Sequence, residues 1–146
     1  MIPAVFDTST IITRKLRIGR ENNVLSAVVI AELLAAAPDD SEREAHEANR
    51  RAHEKNGTLI VPIGEDWLLA SRILYWLTHR RKKSAGGKLP PQKPGASQQM
   101  MMDALIAVSA RRAGALVVTE DYDDFKAIQY YCHFRLKRGS DYFDAT

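Results

Sequence analysis

Short apolar runs typical of buried parallel strands recur along the chain, and longer segments with helical periodicity separate them. The runs predict strands at 3–6, 22–27, 58–63 and 115–119, with a last edge strand at 133–137. Between them the pattern predicts helices at 9–15, 27–37, 42–56, 65–83, 98–113 and 120–128. This alternation predicts an α/β fold, a three-layer α/β/α sandwich with a mostly parallel central sheet.

Capping residues punctuate the predicted helices. Ser26, Ser41 and Ser97 stand where N-caps are expected, and Gly57 and Gly114 stand where helices end. The helix at 65–83 begins with acidic residues and ends with basic ones, in agreement with the helix dipole. Its many apolar positions predict that most of its surface is packed: 67, 68, 69, 73, 74, 76 and 77.

Composition fits one globular domain spanning residues 1–146, with 45% hydrophobic and 27% charged residues. No apolar stretch approaches the roughly 18 residues that a membrane span needs. The first residues lack the pattern of a secretory leader, so a cytoplasmic protein is expected. Cys132 is the only cysteine, and its setting predicts a small core residue rather than a nucleophile.

Three acidic side chains occupy positions where their neighbours are apolar. Asp7 ends the first predicted strand, and ligands of parallel sheets bind beyond the carboxyl ends of strands. Glu32 and Asp103 lie on helices, and most residues three and four positions from them are apolar. Each acid has a structural alternative, because Asp7 could cap the next helix and the other two could pair with distant arginines.

A fourth acidic region, VVTEDYDDF, follows the strand at 115–119 and supplies Asp121, Asp123 and Asp124. Carboxylates that leave water without a partner cost several kcal/mol, and no Lys or Arg lies within one helical turn of Asp7 or Glu32. If the acids meet in one crevice, a divalent cation is the simplest compensating charge. An all-oxygen ligand set selects Mg²⁺ or Mn²⁺ over Zn²⁺.

Three segments carry a family resemblance: VFDTSTII, LSAVVIAELLAAA and MMMDALIAVSARRAGALVVTEDYDDF. In this order they resemble the PIN-domain ribonucleases and, among them, the VapC-like toxins of bacterial toxin-antitoxin pairs. The resemblance covers nearly the whole chain. It departs from the family in a long basic, Pro/Gly-rich insertion before Asp103, predicted to be a loop at about 83–97.

The resemblance implies residue roles. It places the family's catalytic, metal-binding acids on Asp7, Glu32, Asp103 and Asp121. Ser9 is the hydroxyl companion of the first acid, and Thr119 and Asp124 are supporting residues of the fourth region. It also implies a PIN-like fold, a small antitoxin that covers the site with an inserted Arg or Lys, and a homodimer.

Residues and resemblance together predict a Mg²⁺-dependent endoribonuclease that hydrolyses RNA phosphodiester bonds, the toxin of a toxin-antitoxin pair. The segment between Asp66 and Asp103 contains no acid and is rich in Lys and Arg, so it could attract RNA. A solvated helix end followed by a flexible loop explains it equally well. The candidate RNA contacts are Arg80, Arg81, Lys82, Lys83, Lys88 and Arg111.

Other classes of protein also place an acid after a first strand. A non-catalytic PIN-like module that binds RNA or a protein partner would keep the same fold. A haloacid dehalogenase-type phosphatase expects a second Asp two residues after the first, where this chain has Ser9. A receiver-like domain needs a Lys after a late strand, and VVTED offers none.

Overall fold

A parallel sheet lies at the centre of the computed structural model, which describes residues 2–16, 23–84, 86–87 and 93–144. The strands in this part of the chain are β1 (Ala4–Phe6), β2 (Leu25–Ser26), β3 (Leu59–Ile60), β4 (Leu116–Thr119) and β5 (Arg135–Arg138). β1 pairs with β4 and β4 with β5, while β2 pairs with β3. The strands thus form a three-stranded unit, β1-β4-β5, and a two-stranded unit, β2-β3, and a parallel bridge between Ala4 and Asn23, just before β2, brings the two units together.

Helices connect the strands and cover the sheet. They are α1 (Thr8–Arg14), α2 (Ala27–Ala35), α3 (Asp40–Lys55), α4 (Gly64–Ser84), α5 (Ala96–Arg112), α6 (Tyr122–Gln129) and α7 (Gly139–Phe143). Successive residues of a strand point to opposite faces of a sheet. Ala4 and Val5 in β1, like Val117 and Val118 in β4, are all buried, so both faces are covered. This confirms the predicted α/β sandwich with a parallel sheet.

α5 is the most deeply buried helix among the described elements, with every residue from Asp103 to Ala110 buried. α4 packs against it through a narrow stripe formed by Ala70, Ile73 and Leu77. The prediction that most of α4 is packed is therefore wrong. Trp67 is 49% exposed and Leu68 is 60% exposed, because helical periodicity reveals apolar positions but not which of them another element covers.

Helix caps agree with the sequence in part. Ser26 caps α2 by accepting a hydrogen bond from the Val28 amide, as predicted. Asp39, rather than Ser41, caps α3, and the Glu42 amide donates to its carboxylate at 2.8 Å. α5 begins after Gly95 without a side-chain cap, so Ser97 is not its N-cap. Asp caps a helix as well as Ser does, which explains the first of these differences.

The carboxyl-terminal region adds the predicted edge strand β5 and the unpredicted α7. Gly139 begins α7, and a Cβ there would collide with the carboxylate of Glu120. The predicted loop at about 83–97 falls between α4 and α5, and residues 85 and 88–92 of it lie outside the described residues. No helix in the described ranges has the length and apolar character needed to cross a membrane.

Candidate acidic active site

A pocket of about 230 Å³ opens at the carboxyl ends of β1 and β4. All four predicted acids, from four different parts of the chain, line it: Asp7, Glu32, Asp103 and Asp121. The other lining residues are Thr8, Ser9, Ile12, Gln99 and Ile106. The topology explains the meeting, because parallel strands that are neighbours in a sheet end at the same edge.

Asp7 is both a helix cap and a pocket residue. Its Oδ1 accepts hydrogen bonds from the Thr10 amide at 3.0 Å and the Thr10 hydroxyl at 2.5 Å. Its Oδ2 accepts from the Ser9 hydroxyl at 3.0 Å and the Thr119 hydroxyl at 2.6 Å. A carboxylate has about four acceptor sites, so the 2% exposed Asp7 is fully hydrogen-bonded and fixed in orientation.

Two buried threonine hydroxyls tie the end of β1 to the end of β4. Thr10 donates to Asp7 and accepts from the Glu120 amide at 3.1 Å. Thr119 donates to Asp7 and accepts from the Asp121 amide at 2.8 Å. The link from Thr10 to a residue 110 positions away gives no local signal in the sequence. Ser9 and Thr119 both serve to orient Asp7 in this arrangement.

Glu32 enters the pocket from α2. Its Oε1 is buried and makes no hydrogen bond with any described residue, and the same is true of the neighbouring Thr8 hydroxyl. Burial raises the pKa of Glu32, the proximity of Thr8 lowers it in part, and the charge of Asp7 raises it further. Glu32 is therefore a partly buried carboxylate with one buried oxygen that lacks a hydrogen-bond partner among the described residues.

Asp103 is a second pocket carboxylate whose pKa is raised by burial. It is 6% exposed, and burial, together with the charges of Asp7, Asp124 and Asp121, raises its pKa to about 7. The Gln99 side-chain amide donates to its Oδ1 at 3.0 Å and lowers this pKa in part. The sequence analysis missed Gln99, although its position one turn before Asp103 on the same helix is a usable signal.

The acids of the fourth region differ in whether they line the pocket. Asp121 lines the pocket and stands at the N-cap position of α6 without making a side-chain cap. Asp124 lies in the first turn of α6, and its charge reaches Asp103. Asp123 is exposed and does not line the pocket. This region therefore contributes one wall of the pocket and additional negative charge.

No ion pair within the described ranges involves Glu32 or Asp103, so the alternative that each pairs with an arginine finds no support there. The orphaned Glu32 oxygen and the all-carboxylate lining fit the chemistry of a hard divalent cation. As placed, however, the described residues include no group of three acidic, His or Cys side chains close enough to hold a metal ion. The carboxylates would have to move closer together around one.

The basic candidates lie away from the acidic pocket. Arg80 and Lys83 line a separate cleft beside α6, and Arg111 lies against Cys132. Cys132 is buried as predicted; burial raises the pKa of its thiol, and the charge of Arg111 lowers it in part. The side chains of Arg81 and Lys82, and all of Lys88, lie outside the described residues.

An apolar groove of about 720 Å³ adjoins the acidic pocket and shares Glu32 and Gln99 with it. α2, α4 and α5 form its walls. Trp67 from the exposed side of α4 lines it, together with Met102 and Leu105 from α5. The groove accounts for part of the apolar surface that α4 leaves uncovered.

The fold and pocket define a parallel α/β protein with an acidic site at its strand ends. The PIN domain family model matches residues 4–129, and the chain belongs to the PIN domain family. The match confirms the resemblance to PIN domains that the sequence motifs indicated. It also rules in favour of that family over the phosphatase and receiver classes. No curated protein matches the sequence significantly.

Two solved structures share the fold. A chain of the crystal structure of DNA-bound VapBC from Salmonella typhimurium is 19% identical with a TM-score of 0.55, over 95% of this chain and 99% of that chain. A chain of the structure of FitAB bound to an IR36 DNA fragment is 17% identical with a TM-score of 0.51, over 93% and 94%. At these identities the similarity concerns the fold.

Proposed function

We propose that the protein is a Mg²⁺-dependent endoribonuclease, acting in the cytoplasm as the toxin of a toxin-antitoxin pair. The observation that carries the proposal is the meeting of Asp7, Glu32, Asp103 and Asp121 in one pocket without a cationic partner among the described residues. PIN domains are generally nucleases that use divalent metals, and this family membership supports the same chemistry.

The four acids would hold Mg²⁺, or Mn²⁺ in its place. When bound, the ion would supply Lewis acidity for the phosphodiester and for the attacking water. Asp7 contributes a carboxylate oriented by four donors, one of which an ion would have to displace. Glu32 and Asp103 contribute charge that the pocket stabilises poorly without a cation. Asp124 adds to the negative potential without lining the pocket.

The test is RNA cleavage with mapping of the product ends, in Mg²⁺ and in EDTA. We expect wild-type protein to cleave internally in Mg²⁺ only and Asp103→Asn to be inactive. Asp123→Asn is the matched control, because it removes an exposed acid of the same region that lies outside the pocket, and it should cleave normally. Cleavage that persists in Asp103→Asn would contradict the proposal, and RNA binding without cleavage would favour a non-catalytic module.

We further propose that a small antitoxin covers the site. The apolar groove beside the pocket fits an apolar segment of a partner. Because Glu32 lines both the groove and the pocket, an Arg or Lys of that partner would lie within reach of the carboxylates. The solved structures with a similar fold are DNA-bound VapBC and FitAB bound to a DNA fragment, which agrees with the resemblance to VapC-like toxins. Trp67→Asp should abolish neutralisation by the cognate antitoxin while leaving RNA cleavage intact.

A homodimer is the remaining expectation. One chain has a mass of 16.4 kDa, so light scattering would separate a monomer from a dimer directly. A single species at the monomer mass across the working concentration range would contradict this expectation.

A further inference from the structure

A second cleft, of about 470 Å³, lies between the second half of α4 and the end of α6. Four aromatic rings line it: Tyr75, Trp76, Tyr130 and Tyr131. The remaining lining residues are His79, Arg80 and Lys83, so the described lining includes no acid. We call this feature the aromatic-basic cleft.

Three of the four aromatic rings in this cleft are exposed, and each of the four contacts another ring. Tyr130 is 73% exposed, and its ring meets Tyr131 edge-on at 5.0 Å between centroids. Trp76 lies 5.4 Å from Tyr131, and Tyr75 lies 4.0 Å from His79. Large exposed aromatic side chains in one cluster are unusual on a surface that binds nothing.

A cation completes the arrangement. The guanidinium of Arg80 lies 5.0 Å from the centroid of the Tyr130 ring, and Lys83 stands nearly one turn further along α4. Flat rings that stack on bases, combined with Arg and Lys that meet phosphates, are the elements of single-stranded nucleic acid sites. An apolar protein partner fits this cleft less well than it fits the groove beside Glu32, because the described lining of the cleft includes Arg80 and Lys83 and no acid.

We propose that the aromatic-basic cleft binds a single-stranded segment of the RNA substrate by base stacking. This inference rests on the proposed ribonuclease function and names how the substrate is held. The acidic pocket repels a polyanion, so attraction must come from another surface. The segment between Asp66 and Asp103, which contains Arg80 and Lys83, has no acid at all.

Helix α6 connects the cleft to the acidic pocket. It begins after Asp121, which lines the pocket, and Tyr130 follows its last residue. At 1.5 Å per residue the two positions are separated by about 13 Å along the helix axis. A short run of nucleotides has a length of this order.

Binding of a fluorescent single-stranded RNA oligonucleotide, measured by anisotropy in EDTA, tests the stacking contact. We expect Tyr130→Ala and Tyr130→Leu to weaken binding by about 5- to 100-fold, and Tyr130→Phe to bind within about twofold of wild type. Leu keeps apolar volume but loses the aromatic face, so it separates stacking from simple hydrophobic contact. Wild-type affinity in Tyr130→Leu would overturn the proposal. Because the side chain is exposed, all three variants should fold, which circular dichroism checks.

The charge contribution has its own matched control. Arg80→Ala should weaken binding and reduce the slope of log affinity against log salt by about one unit. Arg51→Ala removes the same charge from α3, where the side chain is 64% exposed and contacts Glu47, and it should leave the affinity nearly unchanged. Equal losses in both variants would overturn a localised site. Duplex RNA should bind more weakly than the single strand, because its bases are already stacked.

The experiments distinguish a wrong proposal for RNA binding in the cleft from a wrong proposal for ribonuclease activity. Binding in EDTA needs no cleavage, so Tyr130-dependent binding by a protein that never cleaves RNA would remove only the ribonuclease proposal. Cleavage by Tyr130→Ala with an unchanged KM for long single-stranded RNA would overturn the cleft alone. A second copy of the chain is the competing occupant. If Tyr130→Ala converts a dimer to a monomer without changing RNA affinity, the cleft is a dimer interface and the proposal is wrong.

Discussion

The two sides of the acidic pocket differ in how their carboxylates are stabilised. On the strand side, Asp7 accepts four hydrogen bonds from residues that the fold holds rigidly. On the helix side, and among the described residues, Glu32 has a buried oxygen without a hydrogen-bond partner, and Asp103 has one hydrogen bond, from Gln99. The strand-side carboxylate thus has four hydrogen-bond donors, whereas the helix-side carboxylates have few.

This difference suggests distinct roles for the strand-side and the helix-side carboxylates. If the pocket holds a cation as proposed, Asp7 would give it a carboxylate of fixed orientation, and the poorly compensated carboxylates of Glu32 and Asp103 would gain most from charge neutralisation. The same contrast predicts that substitutions on the two sides affect stability with opposite signs, although both impair the proposed activity. In the sequence analysis both sides were treated as equivalent ligands.

The largest expected effect is on cleavage by a helix-side variant. Glu32→Gln should lower the rate of RNA cleavage by about 1,000-fold or more, because a catalytic metal site contributes several kcal/mol to the transition state. The variant should remain folded, and Mg²⁺ should raise its melting temperature less than it raises that of the wild type. A Mg²⁺ response equal to wild type would show that Glu32 is not a ligand.

The stability of the metal-free protein should depend on pH through Asp103. Its folded-state pKa is raised to about 7 from an ordinary value of 3.8, so ionisation opposes folding. Below about pH 4 the carboxyl is protonated in both the folded and the unfolded state, so it costs no stability. As pH rises towards about 7 the unfolded state ionises before the folded state does, and the free energy of unfolding falls. In EDTA at pH 8, Asp103→Asn should therefore increase the free energy of unfolding by up to about 4 kcal/mol. At pH 4 the gain should vanish in chemical denaturation; an equal gain at both pH values would refute the assignment.

The strand side should respond in the opposite direction. Asp7→Asn replaces an acceptor oxygen with an NH₂ donor that faces hydroxyl donors, so it should destabilise the metal-free protein by about 1–3 kcal/mol. Asp39→Asn is the matched control, since Asp39 caps α3 at an exposed position and Asn caps equally well. Chemical denaturation in EDTA measures both, and a more stable Asp7→Asn protein would show that charge repulsion outweighs the hydrogen bonds.

A smaller effect is expected from the threonine that joins the strands. Thr119→Val removes a hydroxyl that donates to Asp7 and accepts from the Asp121 amide. Residues that orient metal ligands typically affect activity by about 10- to 100-fold. Thr119→Ser keeps the hydroxyl and should restore most of the cleavage rate. If Val and Ser variants cleave equally, the hydroxyl has no positioning role.

The smallest effect should come from Ser9→Ala. Ser9 supplies one of the four hydrogen bonds to Asp7 and is only partly buried, so its loss should cost about 1 kcal/mol or less. Cleavage should fall by a few-fold at most. A loss as large as that of Glu32→Gln would mean that Ser9 contacts the reacting groups directly.

Much of the fold and the membership of the pocket could be predicted from the sequence. Asp7, Glu32 and Asp103 stood out because their neighbours are apolar, and the order of strands and helices placed them at one edge of the sheet. The α/β architecture followed from the alternation of apolar runs and helical periods. Their roles as metal ligands remain predictions.

Other features depend on tertiary contacts that leave no local pattern. The link from Thr10 to Glu120 joins residues far apart in the chain, so no spacing rule reveals it. The exposed face of α4 looked like core because the periodicity is the same whether an apolar face meets the chain itself or a partner. α7 was missed because GSDYF is too short to show a helical period.

The hydroxyls of Thr10 and Thr119 have an evolutionary consequence. Both donate to Asp7 and accept a hydrogen bond from a backbone amide of the segment after β4, and the Val118 carbonyl, 3.3 Å from the Thr10 hydroxyl, is a second acceptor for Thr10. An apolar residue at position 7 would therefore remove the acceptor that the two hydroxyls share, and it would loosen the segment that presents Asp121. In PIN domains that have lost their acidic site, we expect the residues equivalent to 7, 10 and 119 to have changed together.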